Sequence, residues 1–257
     1  MTTPKTGLVL SAGGLYCAYQ AGAWQAIEEF LPIDLVTGAS AGAMNGWPIA
    51  SGCSAELLTN RWLDPDSADL LRLLPNPGLT RGFFDATRLR AQTEKLVAEF
   101  QPRIPFGLAM VELPRFRTVM FWHPEITAAH LVATCSIPIV LPTVRIAGKR
   151  YIDGGIIEKL PIRAAIDAGA TRIIAIDALP QMDRWWLRMG NSVARSFRTR
   201  RHFPPEVEII TIAPSEPLGN SDAAVFWKRE NIERWIDLGY RDARRVLSEK
   251  IYSGISK

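Results

Sequence analysis

Short apolar segments alternate with amphipathic segments along most of this chain. Residues 8–10 form an apolar run that ends in two glycines, and small and aromatic residues recur at helical spacing from Leu15 to Phe30. A second short apolar run spans residues 34–37, and helical spacing resumes at Ala41, with Pro48 bending or ending that helix. The pattern predicts that the chain begins strand, helix, strand, helix.

The same alternation continues to the C-terminal end. We predict helices at 89–100 and 127–135, strands at 116–122, 173–176 and 207–212, a hairpin at 144–152 turning at Gly148, and an amphipathic helix at 222–247. Residues 60–80 are rich in Pro and Asp and predict a long irregular connection or cap. Alternating strands and helices favour an α/β sheet flanked by helices.

Composition adds little to the predicted fold class. The 257 residues are 47% hydrophobic and 22% charged, which predicts one globular domain spanning residues 1–257. The net charge of +4 permits an anionic partner without requiring one. Cys17, Cys53 and Cys135 fit no metal-binding spacing and are expected to be reduced thiols. No apolar run reaches the roughly 20 residues of a membrane span, and we expect a cytoplasmic protein.

The most informative motif is the G-x-S-x-G sequence from Gly38 to Gly42, which lies between a predicted strand and a predicted helix. That context is required for a nucleophile elbow, with Ser40 at its centre. The turn is so tight that side chains at Gly38 and Gly42 would collide with backbone. The serine Oγ would project over the N-terminus of the following helix, which favours developing negative charge.

A serine nucleophile needs a base, and the sequence offers two kinds. Asp153 ends a predicted strand and precedes Gly154 and Gly155, which allow close backbone approach. The alternative is a histidine, as in α/β-hydrolases, drawn from a set of three: His123, His130 and His202. Only two predicted strands precede Ser40, which fits α/β-hydrolase topology badly, so Asp153 is the favoured base.

A second glycine turn, Gly13-Gly14-Leu15, joins the first strand to the first helix. Free N–H groups at such a turn can bind an oxyanion. The segment lacks the G-x-G-x-x-G pattern of a dinucleotide site and has no phosphate-binding lysine.

These motifs, taken in order, resemble the patatin-like phospholipase family over most of the chain. The matching segments are the glycine-rich run from Ser11 to Gly22, the G-x-S-x-G motif continued to Asn45, residues 82–89, residues 133–142, and Asp153-Gly154-Gly155 followed by Leu160-Pro161-Ile162. The resemblance implies a three-layer α/β/α sandwich with a mostly parallel sheet, and hydrolysis of lipid acyl esters without metal or cofactor.

The resemblance also assigns roles to residues of this chain. It implies that Ser40 attacks the ester carbonyl and that Asp153 acts as general base. It further implies that Gly13, Gly14 and the Leu15 amide stabilise the oxyanion.

The chain departs from the family pattern in its glycine-rich turn. Tyr16 replaces a basic residue, Cys17 replaces a glycine, and Ala12 stands where a glycine is usual. These replacements leave open a second hypothesis, a lipid- or acyl-binding protein with weakened catalysis. The pair Glu158-Lys159 also differs from the asparagine that the family often has there.

Residues 184–201 combine paired tryptophans with clustered arginines. This composition is typical of an interfacial helix on an anionic lipid surface, and equally of a helix that covers the core with its arginines in water. We expect possible peripheral membrane contact through this segment. Nucleic-acid binding is not expected, since the remaining chain has no extended basic face.

Overall fold

A computed structural model describes residues 4–65, 72–78, 82–179 and 203–255. Its ten strands are β1 (Thr6–Leu10), β2 (Leu35–Ala39), β3 (Arg72–Gly78), β4 (Gly82–Asp85), β5 (Phe106–Leu113), β6 (Arg117–Trp122), β7 (Val144–Ile146), β8 (Lys149–Asp153), β9 (Arg172–Ile176) and β10 (Glu208–Ile212). Its α-helices are α1 (Ala18–Phe30), α2 (Ala41–Ala50), α3 (Ala55–Leu63), α4 (Thr87–Glu99), α5 (Ala128–Thr134), α6 (Ile162–Asp167) and α7 (Arg229–Ile255). None of the helices within these ranges has the length and apolar character needed to cross a bilayer.

Eight of the strands form one mixed sheet in the order β10-β9-β1-β2-β5-β8-β7, with β6 also paired to β5. Five consecutive strands, from β10 to β5, are parallel, and β6, β7 and β8 add antiparallel pairs. The remaining strands, β3 and β4, pair with each other. The predicted α/β sheet, parallel over most of its pairings, is confirmed.

Helices cover both faces of the sheet because alternate strand residues point to opposite sides. On one face Leu8 and Leu10 of β1 join the large core that α1, α2 and α7 cover. On the other face Val9 packs with Ile162 and Ala165 of α6 in a smaller core. The three-layer arrangement is therefore observed.

Several predicted boundaries were wrong. Residues 60–80 are not irregular throughout, since α3 extends to Leu63 and β3 occupies Arg72–Gly78. The C-terminal helix begins at Arg229 rather than at 222, and a 3-10 helix, Ser221–Ala224, precedes it. The segment 184–201 lies outside the described residues.

Strand β5, which was not predicted, organises the functional edge of the sheet. Its first half pairs with β2, up to Ala39 opposite Ala109, and its second half pairs with β8, from Asp153 opposite Met110. Because β6 occupies the other edge of β5, β2 and β8 lie end to end along the same edge. The C-terminal end of β2 therefore meets the C-terminal end of β8.

Candidate active site

Ser40 lies in a strained turn between β2 and α2. Its backbone has φ 52° and ψ −134°, a conformation that costs a non-glycine residue of order 1–3 kcal/mol. A Cβ on Gly38 would lie 2.8 Å from the Ala43 nitrogen, and one on Gly42 would lie 2.4 Å from the Ser11 carbonyl oxygen. Glycine at both positions lets α2 pack directly against the turn and the end of β1.

Thr134, the last residue of α5, anchors the turn that contains Ser40. The Ser40 N–H donates to the Thr134 Oγ1 at 3.0 Å, and that hydroxyl donates to the Ala109 carbonyl at 2.7 Å. All three groups are buried, so the hydroxyl satisfies two backbone groups that could not reach water. The position of Ser40 is thereby tied to the central strand β5.

The Ser40 hydroxyl lies beside the Asp153 carboxyl group, close enough to lower its pKa. Both side chains are buried, with exposed fractions of 4% and 2%. The contact follows from the sheet register, because Ala39 and Asp153 lie opposite consecutive residues of β5. Two residues that are 113 positions apart in the chain are thus adjacent across a strand end.

Burial raises the pKa of Asp153 from 3.8 to about 7, and this effect outweighs the neighbouring Ser40 hydroxyl and the hydrogen bond from the Gly155 N–H, which lower the pKa. The Gly155 N–H donates to the Asp153 Oδ1 at 2.6 Å and holds the carboxyl group in place. A carboxyl group with a pKa near 7 is suited to accept and return a proton at neutral pH.

The two glycines after Asp153 allow close packing around it. A Cβ on Gly154 would lie 2.2 Å from the Ala109 carbonyl oxygen, and one on Gly155 would lie 2.4 Å from the Ala12 Cβ. The aspartate turn therefore abuts both β5 and the glycine-rich turn that follows β1.

The glycine-rich turn at Gly13-Gly14-Leu15 lies between the turn that contains Ser40 and the turn that follows Asp153. Ser11 contacts Gly42 on one side, and Ala12 contacts Gly155 on the other. Within the described part of the chain, the N–H groups of Gly13 and Gly14 donate no hydrogen bond to protein. Gly14 has φ 55° and is crowded by the Ala224 carbonyl oxygen, which a Cβ would approach to 2.6 Å.

The unusual residues of this turn make contacts inside the protein. Tyr16 donates a hydrogen bond to the Asn220 carbonyl, and its ring packs edge-on against Trp235 at 4.9 Å. The Cys17 thiol donates to the Ser11 carbonyl at 3.5 Å. Asn45, in the helix after Ser40, donates to the Cys17 carbonyl at 2.9 Å. The turn is thus held from both sides despite its departures from the family pattern.

The described histidines serve other parts of the fold. His130 Nδ1 accepts a hydrogen bond from the Thr127 N–H at 3.2 Å, and its ring packs on Phe121. Burial lowers the pKa of His130. The His123 ring packs edge-on against Trp47. His202 lies outside the described residues.

Two neighbours of the site were not singled out in the sequence. Thr134 was missed although it lies within the matching segment 133–142, because a threonine in a small-residue helix gives no sign of its partner. Cys135 was expected only to be a reduced thiol. It lies beside Ser40, and burial raises its pKa, so the thiol stays protonated. All three cysteines of the chain are free.

Replacing Thr134 with valine is expected to lower kcat by roughly tenfold to a hundredfold while KM changes little, since the turn that aims Ser40 loses its anchor. The buried Ser40 N–H and Ala109 carbonyl would also lose their partner, which should reduce the free energy of unfolding by about 1–3 kcal/mol. Steady-state kinetics and urea unfolding measure both effects. Thr134→Ser keeps the hydroxyl and should retain most activity; a valine variant with wild-type kcat would contradict this role.

Comparison with known proteins identifies the family of the chain. The sequence profile of patatin-like phospholipases matches residues 8–166, which include the glycine-rich turn, Ser40 and Asp153. Uncharacterized NTE family proteins of Mycobacterium bovis and Mycobacterium tuberculosis are 27% identical over 213 residues, covering 76% of this chain and 58% of theirs, so this chain spans under three fifths of their length. The crystal structure of VipD from Legionella pneumophila is similar in fold, with a TM-score of 0.54 and 15% identity over 96% of this chain and 67% of that one. The chain belongs to the patatin-like phospholipase family.

Proposed function

We propose that this protein hydrolyses acyl esters of lipids with a Ser40–Asp153 dyad. The observation that carries the proposal is that a strained, buried serine lies beside a buried carboxyl group whose pKa is raised to about 7. A serine hydroxyl is a weak nucleophile unless a positioned base removes its proton. Family membership supports a lipid ester as the class of substrate.

In the proposed reaction, the ionised Asp153 takes the proton of the Ser40 hydroxyl as its Oγ attacks the ester carbonyl carbon. The oxygen of the tetrahedral intermediate accepts hydrogen bonds from the N–H groups of Gly13 and Gly14, with Leu15 as a third donor. Collapse of the intermediate breaks the bond to the alcohol, which receives the proton from Asp153. Water then attacks the acyl-enzyme with Asp153 again as base, and Ser40 is regenerated.

Exposed apolar side chains on the segments that build the site support an apolar substrate. Ile156 directly follows the aspartate turn, and Ile139 lies in the loop whose Ser136 carbonyl accepts the Asp153 N–H at 3.0 Å. Phe226 follows the 3-10 helix that packs on Gly14. Apolar side chains left in water beside a site can bind an apolar ligand through the hydrophobic effect. An acyl chain is such a ligand.

Incubation with phosphatidylcholine dispersions tests the proposal, with fatty acid and lysophospholipid quantified by mass spectrometry. We expect both products in equal amounts, and we expect kcat/KM for p-nitrophenyl esters to rise as the acyl chain lengthens from two to eight carbons, by roughly threefold or more per added pair of methylenes. Neither product from lipid, together with no hydrolysis of the soluble esters, would reject the proposal.

A further inference from the structure

Two β-hairpins extend beyond the edge of the sheet at which Ser40 lies. After Ala109, level with the end of β2, β5 continues for four more residues to Leu113 before it turns into β6. Strand β8 runs beside this extension, and its turn from β7, at Ala147 and Gly148, lies at the same end. At about 3.3 Å per residue, both turns project roughly 13 Å past the end of β2. We call residues 112–117 and 145–150 the hairpin tip.

The hairpin tip carries a dense positive charge. Five of its side chains are exposed cations: Arg115, Arg117, Arg145, Lys149 and Arg150. The only acidic residue within the tip is Glu112. The tip therefore holds an excess of four positive charges on twelve residues, against +4 for the whole chain.

Glu112 joins the two hairpins and neutralises only part of this charge. Its buried carboxylate lies 3.1 Å from Arg117, 3.2 Å from Lys149 and 3.8 Å from Arg115. Three cations thus share one carboxylate, and they remain 56–73% exposed on their outer sides. The ion pairs make the two hairpins one surface without cancelling its charge.

Arg145 and Arg150 face each other directly across the β7–β8 ladder. Like charges in directly opposed positions destabilise a strand pair. Both side chains are exposed, and no described carboxylate forms an ion pair with either. An anion from outside the chain, placed between or beside the two guanidinium groups, would replace this repulsion with attraction.

The turn between β5 and β6 carries an exposed aromatic side chain, Phe116. Phe116 is 44% exposed and has φ 47°, in the left-handed region where a bulky side chain is unfavourable. Glycine or asparagine would fit the backbone at lower cost. The backbone geometry thus does not account for a phenylalanine here, whereas an apolar contact outside the chain would.

The geometry points to the hairpin tip as a docking surface for an anionic lipid membrane. Phosphate headgroups pair with the cations, and the Phe116 ring lies at the boundary between headgroups and acyl chains, where aromatic side chains are favoured. An exposed aromatic ring on the same hairpins as five exposed cations fits a lipid surface better than a flat acidic protein. Because the tip projects from the Ser40 edge, docking brings that edge toward the membrane; this orientation rests on the proposed lipid hydrolysis.

Vesicle sedimentation tests the docking separately from the chemistry. All proteins carry Ser40→Ala, and the vesicles contain phosphatidylcholine alone or with 30% phosphatidylglycerol. We expect binding to the anionic vesicles that weakens in 0.5 M NaCl. Arg145→Gln/Arg150→Gln should weaken binding roughly tenfold or more. Phe116→Asn should weaken it roughly fivefold without loss of folding, because asparagine relieves the backbone strain.

Matched controls lie at the opposite edge of the molecule. Phe30, 37% exposed at the end of α1, provides Phe30→Asn, and Lys95→Gln/Arg103→Gln removes the same charge. Both should bind like the parent. Equal binding to neutral and anionic vesicles, or full binding by both tip variants, would overturn the docking surface, as would selective binding to nucleic acid or an acidic protein. Tip-dependent vesicle binding by the Ser40→Ala proteins, together with no ester hydrolysis by the wild-type protein, would leave the docking intact and reject the proposed hydrolysis.

Discussion

Replacing Ser40 with alanine is expected to abolish ester hydrolysis, with a fall in kcat of at least roughly a thousandfold. The buried Ser40 hydroxyl is the only group of the proposed dyad that can form the acyl-enzyme. Hydrolysis of p-nitrophenyl butyrate measures the loss, and circular dichroism verifies that the variant is folded. Residual activity within tenfold of wild type would contradict the assignment.

A second serine provides the matched control. Ser51 is also buried, and its hydroxyl donates to the Trp47 carbonyl at the far end of α2. Ser51→Ala should keep wild-type kcat. Ser40→Gly offers a complementary readout, since glycine adopts φ 52° without strain. We expect this variant to be inactive but about 1 kcal/mol more stable to unfolding, as is usual when strain at a functional residue is relieved.

Asp153→Asn is expected to lower kcat by at least roughly a hundredfold, because the amide cannot take the proton of Ser40. In the wild type, kcat should rise tenfold per pH unit below the pKa of about 7 and level off above it, since the base must be ionised. The residual rate of the variant should lose this dependence. The exposed Asp167, changed to asparagine, is the control and should keep the wild-type profile.

The same pKa predicts how stability changes with pH. The folded protein keeps its proton on Asp153 up to about pH 7, whereas the unfolded chain releases it near 3.8. This contribution to stability is therefore present below pH 4 and is lost as pH rises to 7, on the order of 4 kcal/mol in all. Asp153→Asn should abolish this decrease in the free energy of unfolding, because the amide does not titrate. Urea unfolding at pH 5 and pH 8 should show a larger stability gain for the variant at pH 8; an equal effect at both would contradict the raised pKa.

The local elements of the first fifty residues could be predicted from the sequence because they depend on short-range signals. Glycines at 38 and 42 around Ser40, between an apolar run and a helical pattern, indicated a tight strand–helix turn, and the structure has one. The aspartate turn after residue 152 was equally visible. In each case, the information lies within about six residues of the chain.

The contact between Ser40 and Asp153 could not be derived in this way. It depends on β5, an apolar run at residues 106–113 that carries no turn signal or motif and was not predicted. The two residues are neighbours only because β2 and β8 both pair with β5, one after the other along the same edge. The strand register that brings Ser40 and Asp153 together depends on the whole sheet and cannot be read from local patterns. The resemblance to the family indicated instead that these two residues act together.

The residues that depart from the family pattern keep open the alternative of a binding protein with weakened catalysis. Tyr16 and Cys17 make internal contacts, and the N–H groups of Gly13 and Gly14 still have no protein acceptor in the described structure. An oxyanion could therefore still be bound at this turn. Loss of a single such donor costs roughly 3 kcal/mol of the activation barrier, so the turnover number is sensitive to small shifts here.

Covalent labelling with a fluorophosphonate tests the central claim most directly, because the reagent reacts with an activated serine whatever the natural substrate is. After incubation at pH 8, tryptic digestion and mass spectrometry locate the adduct. We expect a stoichiometric adduct on Ser40 that is absent from Ser40→Ala and strongly reduced in Asp153→Asn. No adduct on the folded wild-type protein, or an adduct on another residue that persists in Ser40→Ala, would contradict it.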